Sequence, residues 1–413
     1  VSALTHLVCR ECGHEYPIGP SHVCELCFGP LEAAYDYDKV RAVASRERIQ
    51  AGPPTLWRYA DLLPIESEEA RIDLGAGFTP LVPAPRLAAE LGLGELYLKN
   101  DTVNPTGSFK DRVVAMALSK AREFGMSVAS CASTGNLANS VAAHAARAGM
   151  EAYVFIPANL ERVKVLATAV YGAHIVAIDG NYDDVNRLCA EIVSEREDWA
   201  FANVNLRPFY AEGSKTLAFE VVEQLGWRYP DHVVVPVASG SQLTRIQRGF
   251  EELALAGLMP EQTPVRVSGA QPAGCSPVAQ AFESGRSVVR PVKPDTVAKS
   301  LAIGNPADGY YALEVARRTG GAIAAVSDAE ILEAIALVAR TEGIFVETAG
   351  GVTIATLAAL AARGVVRSDE TVVAYLSGNG LKTVEAIEQT VDTGVTIRPS
   401  IDAFWSLVGA DVD

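Results

Sequence analysis

The sequence predicts an α/β protein of two doubly wound α/β lobes, preceded by a small cysteine-rich module at the N-terminus. Three observations carry this expectation. From Thr79-Pro80-Leu81 almost to the end, short β-rich runs alternate with longer stretches of helical spacing, the pattern of parallel sheets with helices on both faces. The number of such units suggests two lobes and not one. The first 35 residues instead hold two Cys-x-x-Cys pairs, Cys9/Cys12 and Cys24/Cys27.

Composition sets bounds. The 413 residues suffice for two or three domains, and 49% hydrophobic with 21% charged residues suits a globular protein with a sizeable core. With 35 basic against 50 acidic residues the net charge is -15, which argues against a general nucleic-acid binder and against adhesion to anionic membranes. The chain opens without a charged segment leading into an apolar one, and no uninterrupted apolar stretch is long enough to span a bilayer. A cytoplasmic location with neither nucleic-acid nor membrane partner is expected. Seven cysteines, an odd number, agree, since Cys131, Cys189 and Cys275 are scattered.

In chain order, residues 1–35 come first. Cys9-Arg10-Glu11-Cys12-Gly13 and Cys24-Glu25-Leu26-Cys27-Phe28-Gly29 suit four thiolates around one tetrahedral Zn²⁺, each glycine relieving the turn that aims backbone N–H groups at sulfur. A structural zinc ribbon with Cys9, Cys12, Cys24 and Cys27 as ligands is expected, its fold carried by the metal, with two redox disulfides or a metal-free remnant as the alternatives. His14 and His22 read as exposed loop. Residues 36–78 are polar and mixed, broken by Gly52-Pro53-Pro54 and Leu63-Pro64, and read as a connecting arm with short helices.

The two-lobed region spans 79–390, with a smaller lobe over roughly 95–210. Its expected strands are 96–99, 128–132, 152–156, 175–178, 232–237, 265–270, 323–326 and 371–376. Its expected helices cover 139–148, 162–171, 184–195, 217–225, 245–256, 310–318, 328–341 and 352–362. The tail, 391–413, holds Phe404 and Trp405, expected to pack back on the body.

Chemistry-bearing residues cluster at strand-to-helix junctions, where ligands of such folds belong. Asn104-Pro105-Thr106-Gly107 is strong turn chemistry, and a helix is expected from about Ser108. That puts Lys110 in a first helical turn, where the partial positive charge favours the neutral amine that imine chemistry needs, although local sequence alone also fits a solvated first-turn lysine. Ser133-Thr134-Gly135-Asn136 offers hydroxyls and N–H groups at a helix start, a pocket for a carboxylate or phosphate, or simply an N-cap. Ala238-Ser239-Gly240-Ser241-Gln242-Leu243 can cradle a phosphate with backbone N–H groups. Ser377-Gly378-Asn379-Gly380 places a hydroxyl at a buried strand end, against a ring nitrogen or in a turn that merely needs glycine.

Taken together and in this order, these pieces resemble the threonine synthases, fold-type II pyridoxal-phosphate enzymes related to tryptophan synthase β subunits. Asn104 to Arg112 is similar to the family's lysine motif, Ser133 to Asn136 to its substrate loop, Val234 to Leu243 to its phosphate loop and Ser377 to Lys382 to its pyridine-nitrogen loop. Thr79-Pro80-Leu81, Asn203 to Pro208 with Glu212-Gly213, and Ser300 to Asn305 fit as well. The likeness covers nearly the whole chain and implies lobes of the fold-type II kind.

The resemblance also implies roles. Lys110 holds pyridoxal 5'-phosphate as a Schiff base and shuttles protons at Cα and Cβ. Asn136 hydrogen-bonds the phenolic oxygen, the loop from Ala238 to Leu243 holds the cofactor phosphate, and Ser377 faces the pyridine nitrogen. Ser133 and Thr134 take the substrate carboxylate. The implied substrate is O-phospho-L-homoserine, which needs a second anion site, expected at Arg207 with Ser108, Asn205 and Lys215 nearby, unless Arg207 is a structural ion-pair partner. A homodimer is implied. Asp111 and Arg112 read as helix-surface or packing residues. Two loops depart from the common pattern: the phosphate loop has fewer glycines, and Ser377 and Asn379 stand where threonine and histidine are common. The competing readings are a dehydratase, racemase or β-replacement enzyme of the same fold, and a zinc-ribbon binding protein with a catalytically silent body.

Overall fold

The computed structural model describes residues 3–133, 135–158, 162–180, 182–261, 265–388, 390–392 and 394–409, without the side chains of residues 162–164, 182 and 183. In chain order the strands are β1 (Leu4–Cys9), β2 (Glu15–Tyr16), β3 (Leu31–Tyr35), β4 (Leu81–Pro83), β5 (Glu95–Asn100), β6 (Val128–Ala132), β7 (Glu151–Pro157), β8 (His174–Ile178), β9 (Trp199–Phe201), β10 (His232–Pro236), β11 (Arg266–Pro272), β12 (Ile323–Val326) and β13 (Thr371–Leu376). Runs such as Val233-Val234-Val235, all fully buried, show why strands form here. Branched side chains suit a pleated sheet covered on both faces.

The strands make three sheets. The cysteine-bearing module is the antiparallel sheet β2-β1-β3. The largest sheet has the order β12-β11-β10-β13-β5-β4 and is parallel except for β4, which runs antiparallel to β5. The third, β8-β7-β6-β9, is parallel throughout. β5, expected at the start of the smaller lobe, pairs along its whole length with β13 in the large sheet, from Glu95 opposite Thr371 to Asn100 opposite Leu376. Leu96 and Leu98 are buried there in one cluster with Val372, Ala374 and Leu376. That apolar contact is nonlocal, so the local pattern could not reveal it.

The arm over 36–78 supplies core. Val40, Ile49, Leu56, Trp57, Tyr59, Leu62, Leu63 and Ile65 are all buried in the main cluster, and Arg58 pairs with Glu223 at 2.6 Å. The tail differs from expectation in the opposite sense. Phe404 and Trp405 lie on the short helix Ile401–Val408 at 43% and 56% exposure, packed edge-on against each other at 5.1 Å, and neither joins a hydrophobic core cluster of the described residues. Residues 394–398 before the helix form no regular element that would carry it back to the body. Among the described residues no helix is long and apolar enough to cross a membrane.

Beneath the turn after β5 lies a buried ion cluster. Arg112 donates to Asp101 at 2.7 and 2.8 Å and to Glu220 Oε2 at 2.9 Å, with Thr79 and Thr216 each at 3.0 Å. Lys99 Nζ lies 2.6 Å from Glu220 and donates to Thr79 O at 2.6 Å. All four charged side chains are 2% exposed or less. Arg112 is therefore internal, and the helix-surface alternative for it falls away: two carboxylates replace its hydration shell.

Candidate active site

The C-terminal ends of β5, β6, β10 and β13 each lead into one of the loops singled out from sequence, as expected for a parallel α/β architecture. β5 ends at Asn100, and the chain turns through Asn104–Gly107 into the helix Lys110–Glu123. Gly107 sits at φ +73°, where a side chain is disfavoured. Asn104 Oδ1 accepts from Gly77 N at 3.0 Å. Asp111, also buried, accepts from the Thr106 backbone and hydroxyl and from Ser140 Oγ, each at 2.7 Å. It braces the turn from within and is not a surface residue.

The helix begins at Lys110 itself. The half-buried Lys110 Nζ donates to Tyr210 Oη at 2.9 Å and lies 4.6 Å from the Phe109 ring centre. Tyr210 was not singled out from sequence; its only signal was its place between two motif fragments, Pro208 and Glu212.

Because β13 lies beside β5 in register, Ser377 emerges next to this turn. Phe109 N donates to Ser377 O and Asn379 N to Gly107 O, both at 2.9 Å. Glu347, at the N-terminal boundary of the helix Thr348–Ala362, completes the junction with its N–H donating to Gly378 O at 2.9 Å. Its carboxyl is 2% exposed. Oε2 accepts from Asn136 Nδ2 at 2.9 Å, and Oε1 lies 3.0 Å from Ser377 Oγ. Thus Asn136, from the loop after β6, and Ser377 meet on one carboxyl that the sequence reading missed. Burial raises Glu347 above the usual carboxyl range, against the pull of Asn136, Ser377, Lys382 and Lys110. A Cβ on Gly378 would sit 2.5 Å from this carboxyl, so only glycine fits. Ser108 Oγ, fully buried beside the same junction, has no hydrogen-bond partner among the described residues.

The loop after β10 opens the helix Ser241–Leu255. Gly240 sits at φ +96°, and a Cβ there would lie 2.6 Å from Asp308 O. The chain thus reaches a tight passage only glycine allows and brings the helix N-terminus to this loop, where Ser241 N donates to Ser239 Oγ at 3.4 Å. Ala238 is half-buried and Leu243 wholly buried in the core, so their contribution is confined to the backbone; Ser239, Ser241 and Gln242 remain half-buried at the mouth.

Arg207 opens the short helix Arg207–Glu212 that carries Tyr210, one turn on and on the same face. It is 30% exposed and donates to Asp308 Oδ2 at 2.8 Å, while Asp308 N donates to Ser239 O at 2.8 Å. Arg207 therefore adjoins the Ser239–Gly240 loop. Asn205 and Lys215 are engaged elsewhere. Asn205 clamps Phe201 N and Trp199 O, both at 2.9 Å. Lys215 is fully buried between Glu212 and Glu252 at 2.5 and 2.6 Å, so its ammonium is already neutralised. Neither is free to meet a ligand. Ser133 is half-buried, its Oγ accepting from Gly135 N at 3.4 Å. Gly135 takes the N-cap position with no side-chain cap. Thr134 lies outside the described residues. A cavity of about 590 Å³ lined by Ile18, Glu66, Lys120, Glu123 and Phe124 shares no residue with this site.

The four N-terminal cysteines converge, their sulfurs all within 4.8 Å of one another and none in a disulfide. Gly13 (φ +73°) turns the first knuckle, as expected. In the second, Phe28 takes the left-handed conformation (φ +60°), and Gly29 serves differently: a Cβ there would lie 2.9 Å from Cys9 Sγ. His22 is half-buried, not exposed, its basicity lowered by burial and by Arg207.

Residues 72–378 match the model of a family described as pyridoxal-phosphate dependent enzyme. Threonine synthase from Methanocaldococcus jannaschii is 39% identical over 393 residues, covering 94% of this chain and 96% of the relative. The chain belongs to the threonine synthase family. The threonine synthase of Methanosarcina acetivorans is 37% identical over 401 residues, covering 96% and 97% of the two chains. That of Mycobacterium tuberculosis is 39% identical over 354 residues, covering 85% and 93%. Among solved structures, an L-serine ammonia-lyase from Rhizomucor miehei aligns with a TM-score of 0.64 at 22% identity over 76% of this chain and 98% of that one. Threonine deaminase isoform 2 from Solanum lycopersicum aligns at 0.63 and 23% over 76% and 88%. These likenesses carry the fold, and the sequence relatives carry the family: a threonine synthase, hence a pyridoxal-phosphate-dependent lyase.

Proposed function

We propose that the protein converts O-phospho-L-homoserine and water to L-threonine and phosphate at the junction around Lys110. The observation that carries this reading is the convergence of Lys110, Asn136 and Ser377 about the Glu347 carboxyl. The residues fit pyridoxal 5'-phosphate: an amine in reach, a phosphate cradle at Ser239–Gln242, and the buried Ser108 hydroxyl, which lacks a partner among the described residues where native interiors pair such groups. Bound there, the cofactor supplies an electron sink for carbanions at substrate carbons.

The chain's own groups do the rest. Lys110 anchors the cofactor and, once displaced by the substrate amine, moves protons at Cα and Cβ, with Tyr210 Oη at 2.9 Å orienting its amine. Asn136 and Ser377 hold the ring through its phenolic oxygen and nitrogen, and Ser133 and Thr134 take the substrate carboxylate. The γ-phosphate leaves and water adds at Cβ.

Arg207 receives the γ-phosphate. Asp308 occupies one edge of its guanidinium, which leaves further donors free for an anion. Arg207→Ala should raise KM for O-phosphohomoserine about 10- to 100-fold, the worth of a charged hydrogen bond, while cofactor affinity stays unchanged. Equal loss of both in steady-state kinetics and cofactor titration would remove Arg207 from this role. A dehydratase would release ammonia from threonine or serine instead, so assaying both products separates the two readings.

The cysteine cluster is read as a structural zinc site. Tetrahedral Zn–S bonds of about 2.3 Å require sulfurs roughly 3.8 Å apart; Cys9 and Cys27 lie at 3.4 Å, Cys12 and Cys24 at 3.7 Å. One zinc per chain is expected by metal analysis, and chelation should unfold the module. A metal-free protein with an intact module would contradict this. The homodimer implied by the family likeness is checked by sedimentation.

A further inference from the structure

We propose that Glu347 acts as a neutral carboxylic acid, a positioning residue that turns the Ser377 hydroxyl into a hydrogen-bond donor toward the ring nitrogen of the bound cofactor. The inference rests on the placement of the ring against Ser377 given above. Asn136 Nδ2 can only donate, so Glu347 Oε2 must be the accepting oxygen. The proton of the acid then belongs on Oε1, 3.0 Å from Ser377 Oγ. An acid O–H given to Ser377 Oγ obliges that hydroxyl to send its own hydrogen elsewhere, and the ring nitrogen is the acceptor. An ionised Glu347 would reverse the chain: Ser377 would donate to it and turn lone pairs toward the ring, which would then have to carry the proton.

The surroundings favour the acid. Both side-chain partners of Glu347 among the described residues are neutral, and the carboxyl is buried with no cation hydrogen-bonded to it. The charges that face it are Lys110, from the helix after the turn, and Lys382, from the turn Gly380–Lys382, which itself faces Asp111. The bound phosphate adds negative charge, which disfavours a second anion at Glu347. The same carboxyl orients the Asn136 amide, whose second N–H is left for the phenolic oxygen.

Holoprotein carrying cofactor labelled with ¹⁵N in the ring tests this by NMR at neutral pH. The expected resonance is that of an unprotonated, hydrogen-bonded pyridine nitrogen. Glu347→Gln reproduces the acid, its Oε1 accepting from Asn136 and its Nε2 donating to Ser377, so it should keep both the resonance and the cofactor affinity. Glu347→Ala should weaken cofactor binding by about tenfold, the cost of stranding buried polar partners. A protonated ring nitrogen in the wild-type holoprotein overturns the inference without recourse to variants, as does a Gln variant that behaves like the Ala variant. A wild-type protein that takes up no cofactor would instead overturn the proposed function.

Discussion

Lys110→Ala leaves a folded protein whose turnover falls by at least about 10³-fold, because anchoring and proton transfer are lost together. The side chain is half-buried and its described polar contact is a single hydrogen bond to Tyr210. The stability cost should therefore stay within about 1 kcal/mol. Thermal unfolding and product formation, measured on the same preparation, separate the two quantities. A large drop in melting temperature would instead make Lys110 a structural residue.

Glu220→Gln should have the largest effect on stability. Glu220 faces both Arg112 and Lys99 at zero exposure, and neutralising it leaves two buried cations with Asp101 as the remaining carboxylate of the cluster. Loss of one partner of a buried pair costs about 3–5 kcal/mol. Burial alone would push the Glu220 carboxyl up, but Arg112 and Lys99 outweigh it and hold it down at about 2. A carboxyl depressed in the folded state contributes stability above its unfolded value near 4.5, and that contribution is lost as pH falls toward about 2. Urea unfolding should show the wild type far ahead of the variant at neutral pH, with the gap closing in acid. A gap independent of pH would mean that packing, not charge, accounts for the loss.

Much of this was legible in the sequence, for physical reasons. Val233-Val234-Val235 and Thr371–Leu376 read as strands because both faces are buried, and glycine-bearing loops mark strand ends that must approach another backbone closely. What stayed hidden depends on contacts between distant segments. Glu347 precedes Ser377 by thirty residues and lies before the helix expected from Val352, whereas that helix starts at Thr348 and sets its carboxyl against Gly378. Tyr210 reaches Lys110 across a hundred residues. Lys215 resembled an anion-binding lysine until Glu252, far along the chain, proved to be its partner. Phe404 and Trp405 show that apolar character alone does not say which surface it covers.

The most direct test is to incubate the purified protein, loaded with pyridoxal 5'-phosphate, with O-phospho-L-homoserine and to follow phosphate and L-threonine together. The account predicts that the two appear in equal amounts and that neither appears with Lys110→Ala. Phosphate without threonine, or products undiminished in the Lys110 variant, would contradict it.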